Sequence, residues 1–525
     1  MSETLIEELR DSQMLHRFLC VAAAEDPDGI ALTFAGRAYS YAELDERANS
    51  VAQRLLAAGL GRGNRVAVVI SNRPEWIICT QAVLRTGAAV ITPLATWTLT
   101  ELGHALELTA PDGIIAETHS AATLDGYPTD AVRFSVDDDA GPQWTSIAAA
   151  SGSRLADTVA VVTDPQDEAF LLFSSGTTGL PKAVRHSHRS MSAIVAQWIW
   201  QAGIGPQDRV QFFMPAPTIF GMANTLACFA ARARISFFQR FNLEVMLEDV
   251  QNSGITIAMA AAPIAVAMAA HPDLEKYDLS SLRYLVWGAT PISKDVAAAV
   301  TGRTGVRWLH VYGTSEHGQL AANPVTEPDR WRLDSPGVMS PDVTYRFVGE
   351  DGHDVPAGTP GELWVQSPQA MLGYLPPESD ADVYVGDWLR TGDVGYVDGD
   401  GFLYLVDRAK EMIKVSGFSV SPVEIERALY AHPDVDDCGV YPVPDDKSVH
   451  RPAVAIVRRP GSDTTPEQFQ AWIAERMSAY KRLASVAFVD AIPRTASGKI
   501  IRRKLPDLVA QARMTPTAGQ AGASS

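Results

Sequence analysis

Apolar residues recur at helical spacing early in the chain. Leu44, Ala48, Val51, Ala52, Leu55 and Leu56 share one face, Ser40 and Glu43 precede it at capping-box spacing, and Gly59 follows it. Residues 65–70 are a Val-rich run that predicts a strand, and Pro74-Glu75-Trp76 opens another helical segment. Residues 169–173 are apolar throughout and read as a buried strand, whereas 187–200 look helical. Strand and helix signals alternate in this way to about residue 300, which predicts an α/β architecture with mainly parallel sheets. From about residue 335 short strands and Gly/Asp turns dominate. The turn Asp398-Gly399-Asp400-Gly401 between two hydrophobic runs predicts a hairpin. Beyond Asp407-Arg408 the pattern changes to compact α+β, with helices expected at 422–430 and 466–477 and strands at 453–457 and 486–489. The expected organisation is therefore a large N-terminal domain over 1–407, with parallel-rich sheets, helices and a small β-barrel-like subdomain, then a small α+β C-terminal domain over 408–514. The tail 515–525, rich in Thr, Ala, Gly, Gln and Ser, is expected to be disordered.

Composition narrows the function classes. A chain of 525 residues suggests about three folding units. The net charge of −18 argues against an extended nucleic-acid or anionic-membrane surface. Cys20, Cys79, Cys228 and Cys438 are widely spaced with no C-x-x-C, so buried thiols in a reduced, cytoplasmic setting are expected. The acidic, mixed N-terminus does not read as a signal peptide, and the longest apolar stretch, 255–270, contains Thr256 and Pro263 and falls short of a membrane span.

Four segments carry candidate chemistry. Phe173-Ser174-Ser175-Gly176-Thr177-Thr178-Gly179-Leu180-Pro181-Lys182 is a hydroxyl- and glycine-rich loop able to wrap a polyphosphate, with Lys182 as the charge. It is not a Walker A loop, because Pro181 stands where the second glycine is needed, and alone it also reads as a surface turn. Val311-Tyr312-Gly313-Thr314-Ser315-Glu316, placed after a strand at 307–310, offers an aromatic ring, hydroxyls and a carboxylate able to stack a base, meet a phosphate and hold Mg²⁺. Trp388-Leu389-Arg390-Thr391-Gly392-Asp393 puts a carboxylate after a glycine turn, suited to a ribose diol or simply to a turn. Arg494-Thr495-Ala496-Ser497-Gly498-Lys499 presents a lysine in a loop before a terminal helix. His186 and His188 beside the first loop read as structural, and Asp137-Asp138-Asp139 as a solvated turn.

In this order and spacing the segments, with Gly288-Ala289-Thr290-Pro291, Gly361-Glu362-Leu363 and Asp407-Arg408, resemble the adenylate-forming enzymes: acyl- and aryl-CoA synthetases, firefly luciferases and the adenylation domains of nonribosomal peptide synthesis. The resemblance covers about residues 10–510. It implies a two-step reaction, in which a carboxylate displaces pyrophosphate from ATP and a thiol then attacks the acyl-adenylate, with Mg²⁺ as cofactor and ATP and CoA as co-substrates. By motif, Ser174, Ser175, Gly176, Thr177, Thr178, Gly179 and Lys182 would hold the β- and γ-phosphates, Ser315 the α-phosphate and Glu316 the metal. Tyr312 and Gly313 would meet adenine beside Gly288, Ala289 and Thr290; Asp393 and Arg408 would bind the ribose. Lys499 would bridge the attacking carboxylate and the α-phosphate, as the catalytic residue with Ser315 and Glu316. The resemblance also implies a mobile C-terminal domain that rotates between steps, with Lys410 at the hinge and Lys414, Ser416 and Gly417 in a loop that meets the incoming thiol.

Departures bear on the acid. Thr218 stands where many relatives carry histidine, Ser419 where coumarate-type ligases carry glutamine, and His310 where many carry glutamine. The expected acyl pocket comprises Thr218, Ile219, Phe220, Gly221, Met222, Trp287, His310, Val311 and Thr314, mostly apolar and without a carboxylate for an α-amino group. A hydrophobic acid (aromatic, alicyclic or fatty) is favoured over an amino acid. The final acceptor is CoA or, alternatively, the phosphopantetheine of a carrier protein acting in trans. No nucleic-acid partner or membrane span is expected, and the chain would act as a monomer or homodimer.

Overall fold

The computed structural model describes residues 14–155, 159, 161–174, 181–260, 262–288, 294–408, 411–415, 418–445, 449–477, 481–494 and 498–514. The expected disordered tail lies outside these residues. The chain divides into two compact units, one of residues 1–344 and 365–389, the other of 345–364 and 390–525. Residues 345–364 and 390–407, assigned from sequence to the large N-terminal domain, thus group with the C-terminal residues. This differs from a boundary at Arg408, and the reason is strand pairing: Asp393 and Val394 lie opposite Arg408 and Asp407 in one antiparallel ladder.

The first unit holds two sheets. The nine-stranded sheet contains a parallel set formed by Trp308–Thr314, Tyr284–Trp287, Ile257–Met259, Arg209–Phe212, Arg234–Phe237 and Ile30–Phe34, in that order. The eight-stranded sheet runs Gly373–Leu375, Lys182–Ser187, Glu168–Ser174, Ala89–Ile91, Arg65–Val69 and then Gly113–Ala116, Val132–Ser135 and Thr145–Ser146. Residue alternation puts Val66 and Val68 on one face with Val210, Phe212, Val286 and Leu309 of the other sheet, and the helices Tyr41–Ala57, Pro74–Thr86, His188–Ala202 and Ile219–Ala231 fill the space between. The opposite faces are also covered: Ala67, Val69 and Ile91 pack with Leu102 and Leu106, while Leu285, Trp287 and Trp308 pack with Met246, Leu247 and Val300. Parallel strands buried on both faces explain why their sequences read as continuous apolar runs.

Local signals held at several places. Ser40 accepts from Glu43 N at 3.1 Å and starts the first predicted helix, and Pro74 occupies the first turn of the next. The Asp398–Gly401 turn closes the expected hairpin, with Asp398 Oδ1 accepting from Phe402 N at 2.9 Å. Cys79, Cys228 and Cys438 are buried free thiols.

In the second unit the sheet Phe418–Val420, Ile413–Val415, Val449–Arg458, Val435–Asp445, with Ser485–Phe488 also on Val449–Arg458, carries helices on both faces. Ile425, Leu429, Phe469 and Ile473 cover one face, and Leu505 and Val509 the other. Among the described residues no helix is long and apolar enough to cross a membrane.

Candidate active site

Glu168–Ser174 pairs antiparallel with Lys182–Ser187, Ser174 opposite Lys182. The glycine- and hydroxyl-rich segment therefore connects two antiparallel strands, and the second of them, before the helix that begins at His188, was not read from the sequence. The short segment Lys182-Ala-Val-Arg-His-Ser was hidden because its charges mask its alternation. Ser175, Gly176, Thr177, Thr178 and Gly179 lie outside the described residues. His104 Nε2 donates to Pro181 O at 3.0 Å and ties down the returning limb.

A third strand, Gly373–Leu375, pairs with Lys182–Ser187 on its other side, Tyr374 opposite Val184. Lys182 Nζ lies 5.2 Å from the centre of the Tyr374 ring, and the Tyr374 hydroxyl donates to Glu316 Oε1 at 2.6 Å. Lys182 and Glu316, assigned from sequence to opposite tasks around one polyphosphate, thus meet at a single side chain. The backbone beneath is held as well: His186 Nε2 donates to Ser315 O at 2.8 Å and Met371 N donates to Glu316 O at 2.9 Å. Burial pushes the His186 imidazole down to about 4, against the opposing pull of Ser315 O and the Glu316 carboxylate. It is neutral at pH 7, with Nδ1 left to accept from Ser190 Oγ at 3.2 Å. His188 is likewise buried and pushed down to about 4 by burial. Both histidines are buried, and His186 reaches the site through Ser315 O. Tyr374 was not singled out from sequence, because a tyrosine in a Gly-Tyr-Leu-Pro segment carries no chemical pattern until the strand is placed.

The strand Trp308–Thr314 runs through the Tyr312 motif instead of ending at 310. Its extension is explained by pairing with Gly318–Ala322, with an irregularity between Tyr312 and Gly313. At Gly313 a Cβ would lie 2.2 Å from Gly318 O, so only glycine permits this approach. Tyr312 is 9% exposed. Gly288 follows the neighbouring strand, in which Trp287 is opposite His310, so Gly288 and the Tyr312 segment emerge at the carboxyl edge of adjacent parallel strands, where open α/β sheets bind ligands. Ala289 and Thr290 lie outside the described residues.

The expected acyl residues divide. His310 Nδ1 and Thr314 Oγ1 are buried and lack a hydrogen-bond partner among the described residues, a costly arrangement that a ligand group would relieve. Burial pushes His310 down to about 4. Val311 packs in the core between the sheets. Thr218 caps the helix Ile219–Ala231: its hydroxyl donates to Pro215 O at 2.9 Å and accepts from Gly221 N at 3.1 Å. Ile219 and Phe220 are half-buried, Phe220 edge-on to Trp198 at 5.3 Å, and Met222 is buried. Trp287 is 1% exposed and edge-on to Trp308 at 5.2 Å, which makes it a core side chain instead of a pocket wall.

In the second unit Asp393 Oδ1 and Arg408 Nε lie 2.9 Å apart as cross-strand neighbours. Thr391 Oγ1 accepts from Asp393 N at 3.1 Å and donates to Leu363 O at 2.8 Å, fixing the turn. Asp407 is spent on structure, its Oδ2 accepting from Ser421 Oγ at 2.5 Å and Val423 N at 3.2 Å at the start of the helix Pro422–Tyr430. Lys499 is exposed, next to Gly498 in a loop closed by a bridge between Arg494 and Ile500. Arg494 donates to Gly498 O at 2.7 Å and to Asp437 Oδ1 at 2.6 Å. On the far side, Arg502 spans Glu411 at 2.8 Å and buried Glu426 at 3.0 Å. Lys414 belongs to the strand Ile413–Val415, its side chain outside the described part; Lys410, Ser416 and Gly417 lie outside the described residues.

Among the described residues no three His, Cys, Asp or Glu side chains gather into a metal cage. A single carboxylate, Glu316, held by one oxygen, is a donor set that fits Mg²⁺, which binds through one or two carboxylates plus substrate phosphates and water.

The chain matches the model of the AMP-binding enzymes over residues 20–375 and that of the AMP-binding enzyme C-terminal domain over 424–499. It is 34% identical to 4-coumarate–CoA ligase 2 of Oryza sativa subsp. japonica over 94% of this chain and 91% of that protein. It is 32% identical to 4-coumarate-CoA ligase 2 of Narcissus pseudonarcissus over 94% and 92%. Among solved structures, anthranilate CoA ligase AuaEII in complex with anthranoyl-AMP superposes with TM-score 0.87 at 25% identity, covering 95% of this chain and 98% of that one. The amide bond synthetase McbA from Marinactinospora thermotolerans gives 0.85 at 29%, covering 94% and 99%. With both halves of the sequence matched and Lys182 and Glu316 drawn to one tyrosine, the chain belongs to the AMP-binding enzyme family of adenylate-forming enzymes.

Proposed function

We propose that the chain is an ATP-dependent acyl-CoA synthetase that activates a hydrophobic carboxylic acid as its acyl-adenylate and transfers the acyl group to the thiol of CoA. It is an AMP-forming acid–thiol ligase. The observation that carries this reading is the convergence of Lys182 and Glu316 on Tyr374, because it gathers a cation and a metal-binding carboxylate beside the phosphate-loop hairpin. In the first step the acid's carboxylate oxygen bonds to the α-phosphorus of ATP and the bond to pyrophosphate breaks. Lys182 and the loop Ser174 to Gly179 grip the departing pyrophosphate, Ser315 steadies the α-phosphate, Tyr312 stacks on adenine beside Gly288 to Thr290, and Asp393 with Arg408 binds the ribose diol. Lys499 lies between the two anions that react and offsets their repulsion in the transition state. Mg²⁺, when bound at Glu316, supplies further neutralisation of phosphate charge. In the second step the thiol sulfur attacks the acyl carbon and AMP leaves. Rotation about Lys410 would bring Lys414, Ser416 and Gly417 to the thiol.

For the acid, the half-buried Ile219 and Phe220, with Thr218 committed to its cap, favour an apolar body. The orphaned His310 Nδ1 and Thr314 Oγ1 favour one polar substituent on it. The relatives' coumarate and anthranilate are acids of this kind, ring compounds with one polar group. The test is acid-dependent pyrophosphate release across aryl, alicyclic, fatty and amino acids, repeated with CoA, a holo carrier protein and a simple amine as acceptor. Release with aryl or alicyclic acids and a CoA thioester as product is the expected outcome. Release with none of the acids would overturn the reading, and acylation of the carrier alone would move the acceptor to phosphopantetheine.

A further inference from the structure

Tyr374 occupies a built position. Its strand is in register with Lys182–Ser187 at Gly373, Tyr374 and Leu375, and Tyr374 N donates to Asp380 Oδ1 at 2.7 Å. Gly373, with φ of +131°, lets this turn pass so close to Asp380 that a Cβ would lie 2.5 Å from its Oδ2. The ring is 7% exposed and packed with Val184, Met371 and Leu389. A tyrosine has only two side-chain torsions, so a ring wedged in this way fixes where its hydroxyl stands. That hydroxyl reaches Glu316 Oε1 at 2.6 Å, the short distance of a charge-assisted bond, while the ring takes the Lys182 ammonium 5.2 Å from its centre. The terminal torsion of a glutamate is otherwise broad, and a lysine is a flexible point charge.

Resting on the function proposed above, we propose that Tyr374 is a positioning residue for the phosphate end of the site. Its hydroxyl presets Glu316 for a divalent cation, keeping one carboxylate oxygen occupied and the other for the metal, and its ring presets Lys182 for the β- and γ-phosphates. One side chain thereby couples the metal-binding and phosphate-binding groups. The two tasks use different parts of the residue and are separable by substitution.

The experiment measures Mn²⁺ binding by electron paramagnetic resonance to the full chain with α,β-methylene-ATP, and the affinity for that nucleotide in excess Mg²⁺ by calorimetry. Tyr374→Phe keeps the ring and loses the hydroxyl: the Mn²⁺ dissociation constant rises about threefold to tenfold while nucleotide affinity in excess metal changes less than about twofold. Tyr374→Leu loses both parts and weakens both measurements. In Glu316→Gln, Mn²⁺ binding is weakened and adding Tyr374→Phe has no further effect. Weakened Mn²⁺ binding in Glu316→Gln with none in Tyr374→Phe would overturn the proposal and leave the functional reading standing. Unchanged Mn²⁺ binding in Glu316→Gln would overturn the metal assignment itself. Equal losses in both measurements for Tyr374→Phe, with a lowered melting temperature, would reduce Tyr374 to a structural side chain and overturn the proposal.

Discussion

Lys182 and Lys499 both follow glycine-containing stretches of sequence, yet they are placed in different ways. Lys182 opens a strand, is half-buried, and has its ammonium over a ring that also holds Glu316. Lys499 is exposed, and the described contacts lie on either side of it: Arg494 donates to Gly498 O, and Arg502 pairs with Glu411 and Glu426. In the first region the functional groups are joined to each other; in the second the contacts described fix the backbone on either side of the lysine. The first arrangement suits a group that holds a leaving group through the reaction, and the second a lysine whose place is set by the backbone that bears it.

Substitutions can sharpen or break this contrast. The largest effect is expected at Lys499: Lys499→Ala lowers overall turnover by about 10²–10³, the size seen when one preorganised charge donor is removed. A change confined to substrate affinity would place Lys499 with the holding groups. Next, Arg494→Ala frees the loop without touching the lysine and lowers adenylation roughly tenfold, about the worth of one charge-assisted hydrogen bond. Arg494→Lys does not restore the rate, because a point charge cannot reach both Gly498 O and Asp437. Full activity in Arg494→Ala would mean that the loop needs no clamp.

Acid should damage the first unit preferentially. Burial holds His16, His186, His188 and His310 at about 4 and His317 at about 3, below the ordinary 6.5. The unfolded chain therefore takes up protons first: stability is complete above about pH 6.5 and falls as the pH drops toward 4. The loss is up to about 2 kcal/mol for each histidine between pH 6.5 and 5. Denaturant midpoints measured at pH 7 and 5 should show it, and His186→Gln, which can still donate to Ser315 O, should lessen it. The smallest effect is expected at Thr218: loss of the cap in Thr218→Ala costs about 1 kcal/mol of stability. The preferred acid stays the same, since the hydroxyl is already committed to Pro215 O and Gly221 N.

Much of this was legible in the sequence. The helix Tyr41–Ala57, the Asp398–Gly401 hairpin and the helix Pro422–Tyr430 came from apolar spacing, caps and turn residues, all of which act over a few positions. What escaped depends on partners far along the chain. The strand Lys182–Ser187 carries the charges of Lys182 and Arg185 and becomes a strand because it is sandwiched between Glu168–Ser174 and Gly373–Leu375. The Tyr312 strand runs past its expected end because Gly318–Ala322 pairs with it. Residues 390–407 group with the C-terminal unit through the ladder that sets Asp393 beside Arg408. Among candidate residues, Glu316 and Lys182 were found by motif, but Tyr374 between them has no motif of its own. Trp287 was placed in the acyl pocket from its position in the chain, whereas strand alternation turns it into the core.

The most direct test follows Lys499→Ala through the two half-reactions separately, with an acid accepted by the unmodified enzyme. Carboxylate-dependent exchange of pyrophosphate into ATP reports the first, and thioester formation from preformed acyl-adenylate and CoA reports the second. A loss of about 10²–10³ in exchange with little change in thioester formation is the predicted result. Equal losses in both would contradict a lysine that acts on the adenylation step alone.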